Sequence, residues 1–307
     1  MLATAAAKLP IGEDWAYEFK WDGVRVIADV SAKAVRLYSR AGNEVTTAYP
    51  EIVAALSWAK PVVLDGEVVA FRDGVPSFEA LQTRMHVRVA ADARALAAIT
   101  PATFVVFDLL RDGSKDLTGA TYAERRGALA AWFAEHENPA LTLSPTFDDG
   151  PATEDAARQH KLEGVVAKRL GSRYLPGARS PDWRKLRFVR TGDFVVIGAE
   201  APATGSQQLS SLVLGRHADG AIHFAGKVGS GIAGATARAL TRELTFREDC
   251  PIAERPPASP DRVVRWTEPT VVVEVEFSSW TSEGRLRHPV YRRLRTDKSP
   301  DEAEGDR

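Results

Sequence analysis

Short apolar stretches, each interrupted by charged residues, follow one another through the first part of the chain. Their β-branched and aromatic residues predict strands at residues 24–30, 62–71, 103–110 and 164–167. Between these strands, apolar positions recur at helical spacing. They predict helices that begin at Pro50, cover residues 78–85 after a Ser77 N-cap, and cover residues 122–137 and 153–162. The pattern indicates a mixed α+β domain.

The pattern changes near residue 190, where short strands begin to alternate with glycine-rich turns. Strands are predicted at residues 194–199, 211–215, 222–228, 263–266 and 271–277, and one helix at residues 233–247. Five short strands and one helix in about 110 residues are typical of a small OB-type barrel. We therefore predict an α+β domain over residues 1–190 and an OB-fold β-barrel domain over residues 191–299. The acidic, polar residues 300–307 are predicted to form a disordered tail.

The composition narrows the class of protein. The 307 residues suit about two domains, and the 44% hydrophobic and 26% charged residues are ordinary for a soluble globular chain. Cys250 is the single cysteine, which excludes a disulfide framework and fits a reducing, cytoplasmic compartment. No apolar run approaches the roughly 18 residues of a membrane span, and the six histidines lack metal-ligand spacing.

The net charge of −1 argues against a uniformly basic nucleic-acid binder, but positive charge is concentrated near the C-terminus. In residues 285–298, Asp297 is the only acid. The basic residues of this segment are Arg285, Arg287, Arg292, Arg293, Arg295 and Lys298. The segment therefore predicts a local anion-binding surface.

Lys20 stands in an unusual context, directly before a Trp-Asp-Gly sequence and close to Arg25. A lysine amine becomes a good nucleophile when it is neutral, and burial or nearby cations favour that form. A tight turn at Asp22-Gly23 would fix the direction of the side chain. An exposed lysine at a hairpin turn is the alternative interpretation of this stretch.

Carboxylates interrupt two of the predicted buried strands, at Asp65-Gly66-Glu67 and at Glu163-Gly164. A buried charge is costly unless it is paired, hydrogen-bonded or bound to a metal. Two carboxylates on neighbouring strands with a triphosphate between them suit Mg²⁺. Taken singly, each is better explained by a salt bridge at a strand end.

Three further segments are candidates for nucleotide contacts. Alternation places Lys185 and Arg187 on one strand face, where a phosphate would relieve their repulsion. The alternative is a solvated edge strand. Phe107 could stack on a base or pack in the core, and Ser39-Arg40 could contact phosphate or ribose.

Taken together and in this order, these segments resemble the motifs of the covalent nucleotidyltransferases, which include ATP-dependent DNA ligases, RNA ligases and mRNA capping enzymes. From Met1 to about Pro300 the chain is most similar to the minimal bacterial ATP-dependent DNA ligases, which are related to the ligase module of end-joining ligases. Lys20 matches the adenylated lysine. The other matches, in order, are Ser39-Arg40, Asp65-Gly66-Glu67, Phe107-Asp108, Glu163-Gly164-Val165-Val166, Lys185-Leu186-Arg187 and the basic residues 286–298.

The resemblance implies a three-step reaction. Lys20 attacks the α-phosphate of ATP and releases pyrophosphate, the AMP passes to the 5′-phosphate of a nick, and the 3′-hydroxyl then displaces AMP. By the resemblance, the ATP contacts are Glu18, Lys20, Arg25, Arg40, Glu67, Phe107, Lys168, Lys185 and Arg187. The implied cofactor is Mg²⁺ or Mn²⁺, held by Glu67 and Glu163.

The resemblance also implies roles for the second domain. Arg295 and Lys298 would close over the pyrophosphate during the first step, with a hinge near Gly192, and the domain would reopen to hold DNA. The predicted DNA contacts are Arg25, Arg40, Arg285, Arg287, Arg292 and Arg293. Glu18 favours ATP over GTP, because a carboxylate accepts from the adenine amino group and repels the guanine carbonyl.

The main prediction is an ATP-dependent DNA ligase that acts in DNA repair. The alternatives are an RNA ligase or a capping nucleotidyltransferase and, from another class, a non-catalytic nucleic-acid-binding scaffold. A scaffold would show decay at Lys20, Glu67, Glu163 or Lys185, and all four are present. The expected partners are nicked duplex DNA and repair or end-joining proteins. We expect a monomer in the bacterial cytoplasm, associated with the nucleoid and not with a membrane.

Overall fold

A computed structural model describes residues 1–204 and 208–305 and divides the chain into two compact units, Met1–Phe188 and Val189–Arg307. The N-terminal unit contains strands β1 Leu2–Ala5, β2 Trp15–Lys20, β3 Val24–Val30, β4 Val35–Ser39, β5 Val62–Arg72, β6 Val75–Pro76, β7 Ala102–Asp112, β8 Lys115–Asp116, β9 Leu141–Leu143, β10 Thr146–Phe147, β11 Gly164–Arg169 and β12 Arg179–Arg187. Its helices are α1 Pro50–Leu56, α2 Phe78–Gln82, α3 Ala90–Ile99, α4 Tyr122–Ala134 and α5 Gly150–Gln159, with a 3₁₀ turn at Thr46–Ala48.

Two sheets organise the N-terminal unit. One has the order β4-β3-β5-β7-β8, with β6 paired to β5 and β9 paired to β7, and the other has the order β1-β12-β11-β2-β10. Apolar side chains from α1, α2 and α4 pack with the first sheet, and Ile52, Leu81 and Leu129 are fully buried there. On the second sheet, Ala157 of α5 packs with Tyr17 and Val165.

The predicted strands and helices of this unit are all present, and most of them have shifted ends. Ser77 caps α2 by accepting a hydrogen bond from the Ala80 amide, as predicted, but the helix stops at Gln82. Helix α4 begins at a capping box made by Thr121 and Glu124 and ends at Ala134. The elements not predicted from the sequence are α3 and the strands β1, β2, β4, β6, β8, β9 and β10. Of β12, only the part around Lys185 and Arg187 was predicted as a strand.

The segment after Lys20 connects the two sheets. Lys20 ends β2, where it lies opposite Gly164 of β11, and Arg25 on β3 lies opposite Glu67 of β5. A β-carbon on Gly23 would lie 2.2 Å from the Val68 carbonyl oxygen, so this crossing requires glycine. The hairpin interpretation of Lys20 is therefore wrong, because the strands on either side of the turn belong to different sheets.

The C-terminal unit is the predicted small β-barrel with one helix. It contains β13 Arg190–Pro202, β14 Ser211–Ala218, β15 Ala221–Val228, α6 Gly234–Glu243, β16 Phe246–Arg247, β17 Arg262–Thr267, β18 Val272–Phe277, β19 Ser279–Trp280, β20 Leu286–Arg287 and β21 Val290–Leu294. The main sheet has the order β15-β14-β13-β17-β16, and β18 joins β13 to β21. Phe194, Leu214, Val273 and Phe277 fill the interior together with Leu240 of α6.

Gly192 lies inside β13 and pairs with Val275, and a hinge near this residue remains a prediction. The predicted disorder of residues 300–305 is wrong. Residues 300–305 are ordered, because Ser299 and Glu302 form a capping box on the 3₁₀ helix Pro300–Glu302 and Ala303 is fully buried. Asp306 and Arg307 lie outside the described residues.

No helix in residues 1–204 or 208–305 is long and apolar enough to cross a bilayer.

Candidate active site

A cavity of about 450 Å³ in the N-terminal unit collects most of the predicted ATP contacts. Eight of the nine line it, namely Glu18, Lys20, Arg25, Arg40, Glu67, Phe107, Lys168 and Lys185. Arg187 is the ninth, and it reaches the site through Glu163 instead of lining the cavity. Residues separated by more than a hundred positions in the sequence therefore share one wall.

Lys20 and Arg187 share a single carboxylate. The Lys20 ammonium donates to Glu163 Oε2, and Arg187 Nε lies 2.8 Å from Glu163 Oε1. The Lys20 side chain is 21% exposed and the Glu163 side chain 13%, so this triad borders solvent at the cavity wall. Glu163 is thus placed to hold Lys20 and to accept a proton from it.

Gly164 allows Glu163 to take this position. Its φ is +157°, and a β-carbon there would lie 2.0 Å from the Leu186 carbonyl oxygen of β12. Glycine therefore permits β11 and β12 to approach closely at the point where Lys20, Glu163 and Arg187 meet.

Arg25 is fixed by a buried carboxylate that was not predicted as a site residue. Asp65 accepts from Arg25 Nε at 2.9 Å and from Arg25 NH2 at 2.6 Å, and it also accepts from the Tyr174 hydroxyl at 2.8 Å. The Arg25 guanidinium lies over the rings of Phe107 and Trp183. This bidentate pair sets the direction of Arg25 at the cavity wall.

Glu67 faces a less compensated environment. Burial raises the pKa of this carboxyl from 4.5 to about 8, and the cations Lys20 and Arg25 only partly oppose the rise. Asp65 and Glu163 add negative charge that acts in the same direction as burial. A carboxylate in such a position gains from an additional cation.

Glu18 and Lys168, which line the cavity, form a buried network with Tyr122. Lys168 Nζ donates to Glu18 Oε1 at 2.6 Å, and the Tyr122 hydroxyl donates to the same oxygen at 2.5 Å. Lys168 is 2% exposed and lies over the rings of Phe107 and Trp183, each at 4.4 Å. Burial lowers the pKa of Lys168, against the opposing effect of Glu18.

This network holds Glu18, the residue predicted to recognise the adenine amino group. Glu18 already accepts two hydrogen bonds through Oε1, so the network fixes the orientation of its carboxylate.

Tyr122, Tyr174 and Trp183 were not predicted as site residues. Only Trp183 could have been found from the sequence, because it lies two positions before Lys185 on the same strand.

A fully buried ion pair between Arg125 and Asp108 stabilises β7, the strand that carries Phe107. Arg125 donates to both oxygens of Asp108, at 2.7 and 2.9 Å, and also to the carbonyl groups of Ala120 and Ser172. The side chains of Arg125 and Asp108 are both inaccessible to solvent. Asp108 directly follows Phe107, so this pair fixes the backbone that carries the ring.

The cavity is strongly cationic. Its lining contains the carboxylates Glu18 and Glu67 and the cations Lys20, Arg25, Arg40, Lys168, Arg179 and Lys185. Burial lowers the pKa of Lys185, and so do the nearby cations Lys20, Arg179 and Arg40. Arg179 was not predicted from the sequence. An arrangement of this kind suits a polyanion such as a nucleoside triphosphate.

The predicted metal ligands are the carboxylates Glu67 and Glu163, which both lie at the Lys20 end of the site. Within residues 1–204 and 208–305, no group of three or more His, Cys, Asp or Glu side chains has a metal-binding arrangement. A metal at this position would therefore need the phosphates of a bound nucleotide as further ligands.

The basic residues predicted in the C-terminal unit are largely paired with acids. Arg292 pairs with Glu276, Arg293 pairs with Glu274 at 2.9 Å, and Arg285 lies 3.4 Å from Glu283. Arg295 and Lys298 each lie 2.6 Å from the Asp193 carboxylate. Arg287 lies in the short strand β20. Contacts of these residues with DNA or pyrophosphate remain predictions.

Comparison with known proteins gives the family. Residues 1–187 match the model described as "ATP dependent DNA ligase domain", and residues 205–298 match the "ATP dependent DNA ligase C terminal region". The chain belongs to the ATP-dependent DNA ligases. This confirms the predicted enzyme class, and with it the nucleotidyltransferase domain followed by an OB-fold domain.

The chain is also similar to individual bacterial DNA ligases. It is 36% identical to the "Multifunctional non-homologous end joining DNA repair protein LigD" of Mycobacterium tuberculosis over 98% of its length, but spans only 39% of that protein. It is 34% identical to "DNA ligase C" of the same organism, covering 98% of this chain and 90% of the relative. The solved ligase domain of M. tuberculosis LigD matches with 35% identity and a TM-score of 0.56, covering 98% and 96% of the two chains.

Proposed function

We propose that this ligase seals nicks with 5′-phosphate and 3′-hydroxyl ends in duplex DNA, through a Lys20–AMP intermediate, during end-joining repair. The observation that supports the proposal best is the position of Lys20 on the wall of a cation-lined cavity, hydrogen-bonded to Glu163. The similarity to end-joining ligases supports the pathway, although the chain spans about two-fifths of those relatives.

In the first step, Lys20 loses a proton and its nitrogen lone pair attacks the α-phosphorus of ATP. The bond from the α-phosphorus to the oxygen that bridges to the β-phosphate breaks, and pyrophosphate leaves with that electron pair. Glu163 is the proton acceptor nearest to Nζ, since the two groups already share a hydrogen bond. Lys185, Arg40 and Arg179 would neutralise the charge that develops on the phosphates.

Mg²⁺ or Mn²⁺ is proposed as the cofactor. Glu67 fits this role, because its pKa of about 8 indicates a carboxylate that lacks sufficient positive charge around it. Glu67 and Glu163 would hold the ion. When bound, it would offset the negative charge of the triphosphate.

In the later steps, AMP remains in the cavity while the DNA ends react. The 5′-phosphate oxygen of the nick attacks the α-phosphorus and displaces Lys20, and the 3′-hydroxyl oxygen then attacks the DNA phosphorus and releases AMP. We propose that Arg40, on the cavity wall, turns from ATP to the nick phosphate between steps. Arg25 would have a smaller range of movement, because Asp65 holds it bidentately.

A nick-sealing assay tests this proposal. The protein is given a 5′-phosphorylated nick in duplex DNA with ATP and Mg²⁺, beside matched nicks that carry RNA on either side and a reaction with GTP instead of ATP. Sealing of the DNA nick with ATP, and not with GTP, is expected. Self-labelling from ATP without sealing of any DNA nick would contradict the proposal that nicked DNA is the substrate, and it would favour an RNA ligase or capping activity. Action in the cytoplasm, as a monomer and with end-joining partners, remains part of the proposal.

A further inference from the structure

A second cavity, of about 480 Å³, lies within the C-terminal unit along strands β16 and β17. Three exposed arginines line it, Arg247, Arg255 and Arg265, together with the rings of Phe246 and Trp266. None of these residues belongs to the basic segment at residues 285–298, which contains the predicted DNA contacts of this unit. We call this cavity the β16–β17 surface.

Two of the arginines lie over aromatic rings. The Arg265 guanidinium carbon is 3.6 Å from the centre of the Phe246 ring, and that of Arg255 is 5.7 Å from Trp266. A guanidinium held over a ring can still use its N–H groups to bind an anion, and its position costs less entropy to fix on binding. The surface is therefore organised before a ligand arrives.

The segment that carries Arg255 is held in place by a hydrogen bond from Lys227. It continues into Pro256 and Pro257, and Lys227 Nζ donates to the Pro257 carbonyl oxygen at 2.7 Å. The same ammonium binds Glu200 Oε1 at 2.6 Å, and Glu200 is only 2% exposed. A partly buried ion pair thus holds a stretch of backbone that its prolines already restrict.

The charges on this surface are less neutralised than those of the C-terminal basic segment. Arg247 pairs with Glu268 at 3.2 Å, whereas neither Arg255 nor Arg265 has a carboxylate partner in the part of the chain that the structure describes. Glu248 is the one acid in the cavity lining. Two of the three cations therefore lack a carboxylate partner, in contrast to β21, where Arg292 and Arg293 each have an acid beside them.

We propose that the β16–β17 surface binds the phosphate backbone of duplex DNA, with Arg255 and Arg265 as its main contacts. Planar guanidinium groups match phosphate oxygens in pairs, and two such groups without carboxylate partners offer an anionic polymer two contacts at little desolvation cost. The identification of DNA as the polyanion rests on the proposed function. Binding there would be independent of sequence and sensitive to salt.

The test measures binding of fluorescent nicked duplex DNA to the full chain, without divalent cations so that no strand is joined. Arg255→Ala/Arg265→Ala is compared with Arg238→Ala/Arg242→Ala, which removes two exposed arginines from α6 of the same unit. We expect the first variant to bind about tenfold more weakly than the control variant, and its slope of log affinity against log salt to be shallower by about 1.8. Arg255→Lys/Arg265→Lys keeps both charges and is expected to restore most of the slope.

Self-labelling from α-labelled ATP, measured for every variant, reports whether the nucleotide site is intact, and circular dichroism reports folding. If Arg255→Ala/Arg265→Ala has the same DNA affinity and salt slope as the control variant, the proposal is overturned. This is also the result expected if the surface binds an acidic peptide instead of DNA. A lysine variant that binds as weakly as the alanine variant would also overturn it, because the effect would then not be electrostatic. If the unaltered chain binds nicked DNA but never seals it, the proposed function fails while this surface stands.

Discussion

Replacing Arg125 by methionine removes one half of the buried ion pair that supports the Phe107 strand. Arg125 donates four hydrogen bonds, of which two go to Asp108, at 2.7 and 2.9 Å. Both side chains are fully buried, so no water replaces the lost donors at the Asp108 carboxylate. Breaking a buried pair from one side costs about 3–5 kcal/mol, since it leaves an uncompensated charge.

The loss is expected to depend on pH in a definite direction. Burial already raises the pKa of Asp108 above 3.8, and Arg125 limits that rise. Without Arg125 the folded-state pKa rises further, so the folded protein binds a proton more tightly than the unfolded chain. Stability then falls as pH rises through the interval between the two pKa values. The destabilisation should therefore be full at pH 8 and smaller at pH 5.

Urea unfolding followed by tryptophan fluorescence measures this change, because five of the seven tryptophans lie in the N-terminal unit. Arg125→Met/Asp108→Asn removes the buried charge and should recover more than half of the loss, since Asn retains an oxygen for the Leu109 amide. Arg158→Met, which breaks an exposed pair with Glu154, is the control and should cost no more than about 1 kcal/mol. A loss below about 1 kcal/mol for Arg125→Met at pH 8, or an equal loss at pH 5, would refute the reasoning.

Two further predictions concern the nucleotide cavity. Gly164→Ala places a β-carbon 2.0 Å from a β12 carbonyl and should slow self-labelling from ATP by about 10²-fold, whereas Gly171→Ala, with no atom within 4 Å, should be neutral. Equal rates for the two variants would contradict the role assigned to the close strand approach. For Glu67, whose pKa rises from 4.5 to about 8, the unfolding free energy should fall as pH increases between those values. Glu67→Gln should remove that fall in a pH series of urea titrations, and parallel profiles for the two proteins would count against it.

Elements with strong local patterns could be predicted from the sequence. β3 has the predicted bounds, Val24–Val30, because apolar residues recur at alternate positions along it and Val26, Ala28 and Val30 are buried. The alternation of Lys185 and Arg187 predicted only the end of β12. The start of this strand was missed because its sequence, with Pro181 and Asp182, is polar, and because it forms through pairing with β1 and β11. A strand stabilised by distant partners leaves little local signal.

The candidate site likewise contains residues that the sequence predicts and residues that depend on distant partners. The order of the motifs indicated which residues meet, and Lys20, Glu67 and Lys185 do line one cavity. The partners that orient them could not be predicted, because Tyr174 lies 109 residues from Asp65 and Lys168 lies 150 residues from Glu18. Such pairs depend on the three-dimensional arrangement of the two sheets.

The basic segment shows where counting charges along the chain misleads. Residues 285–298 contain one acid, but antiparallel pairing places Glu274 of β18 opposite Arg293 of β21. Acids from another strand therefore neutralise a segment that looks strongly basic in the sequence. Conversely, Arg255 and Arg265 stand among acids in the sequence, yet they face an open cavity.

The central claim is that Lys20 carries AMP from ATP to a DNA nick, and a pulse–chase experiment tests it most directly. The protein is labelled with α-labelled ATP and Mg²⁺, freed of ATP, and chased with excess 5′-phosphorylated nicked duplex, beside Lys20→Ala and Lys20→Arg. We predict label on the unaltered protein only, attached to the peptide that contains Lys20, and its transfer to DNA during the chase as the nick is sealed. Label that persists in Lys20→Ala, or that stays on the protein when nicked DNA is added, would contradict this account.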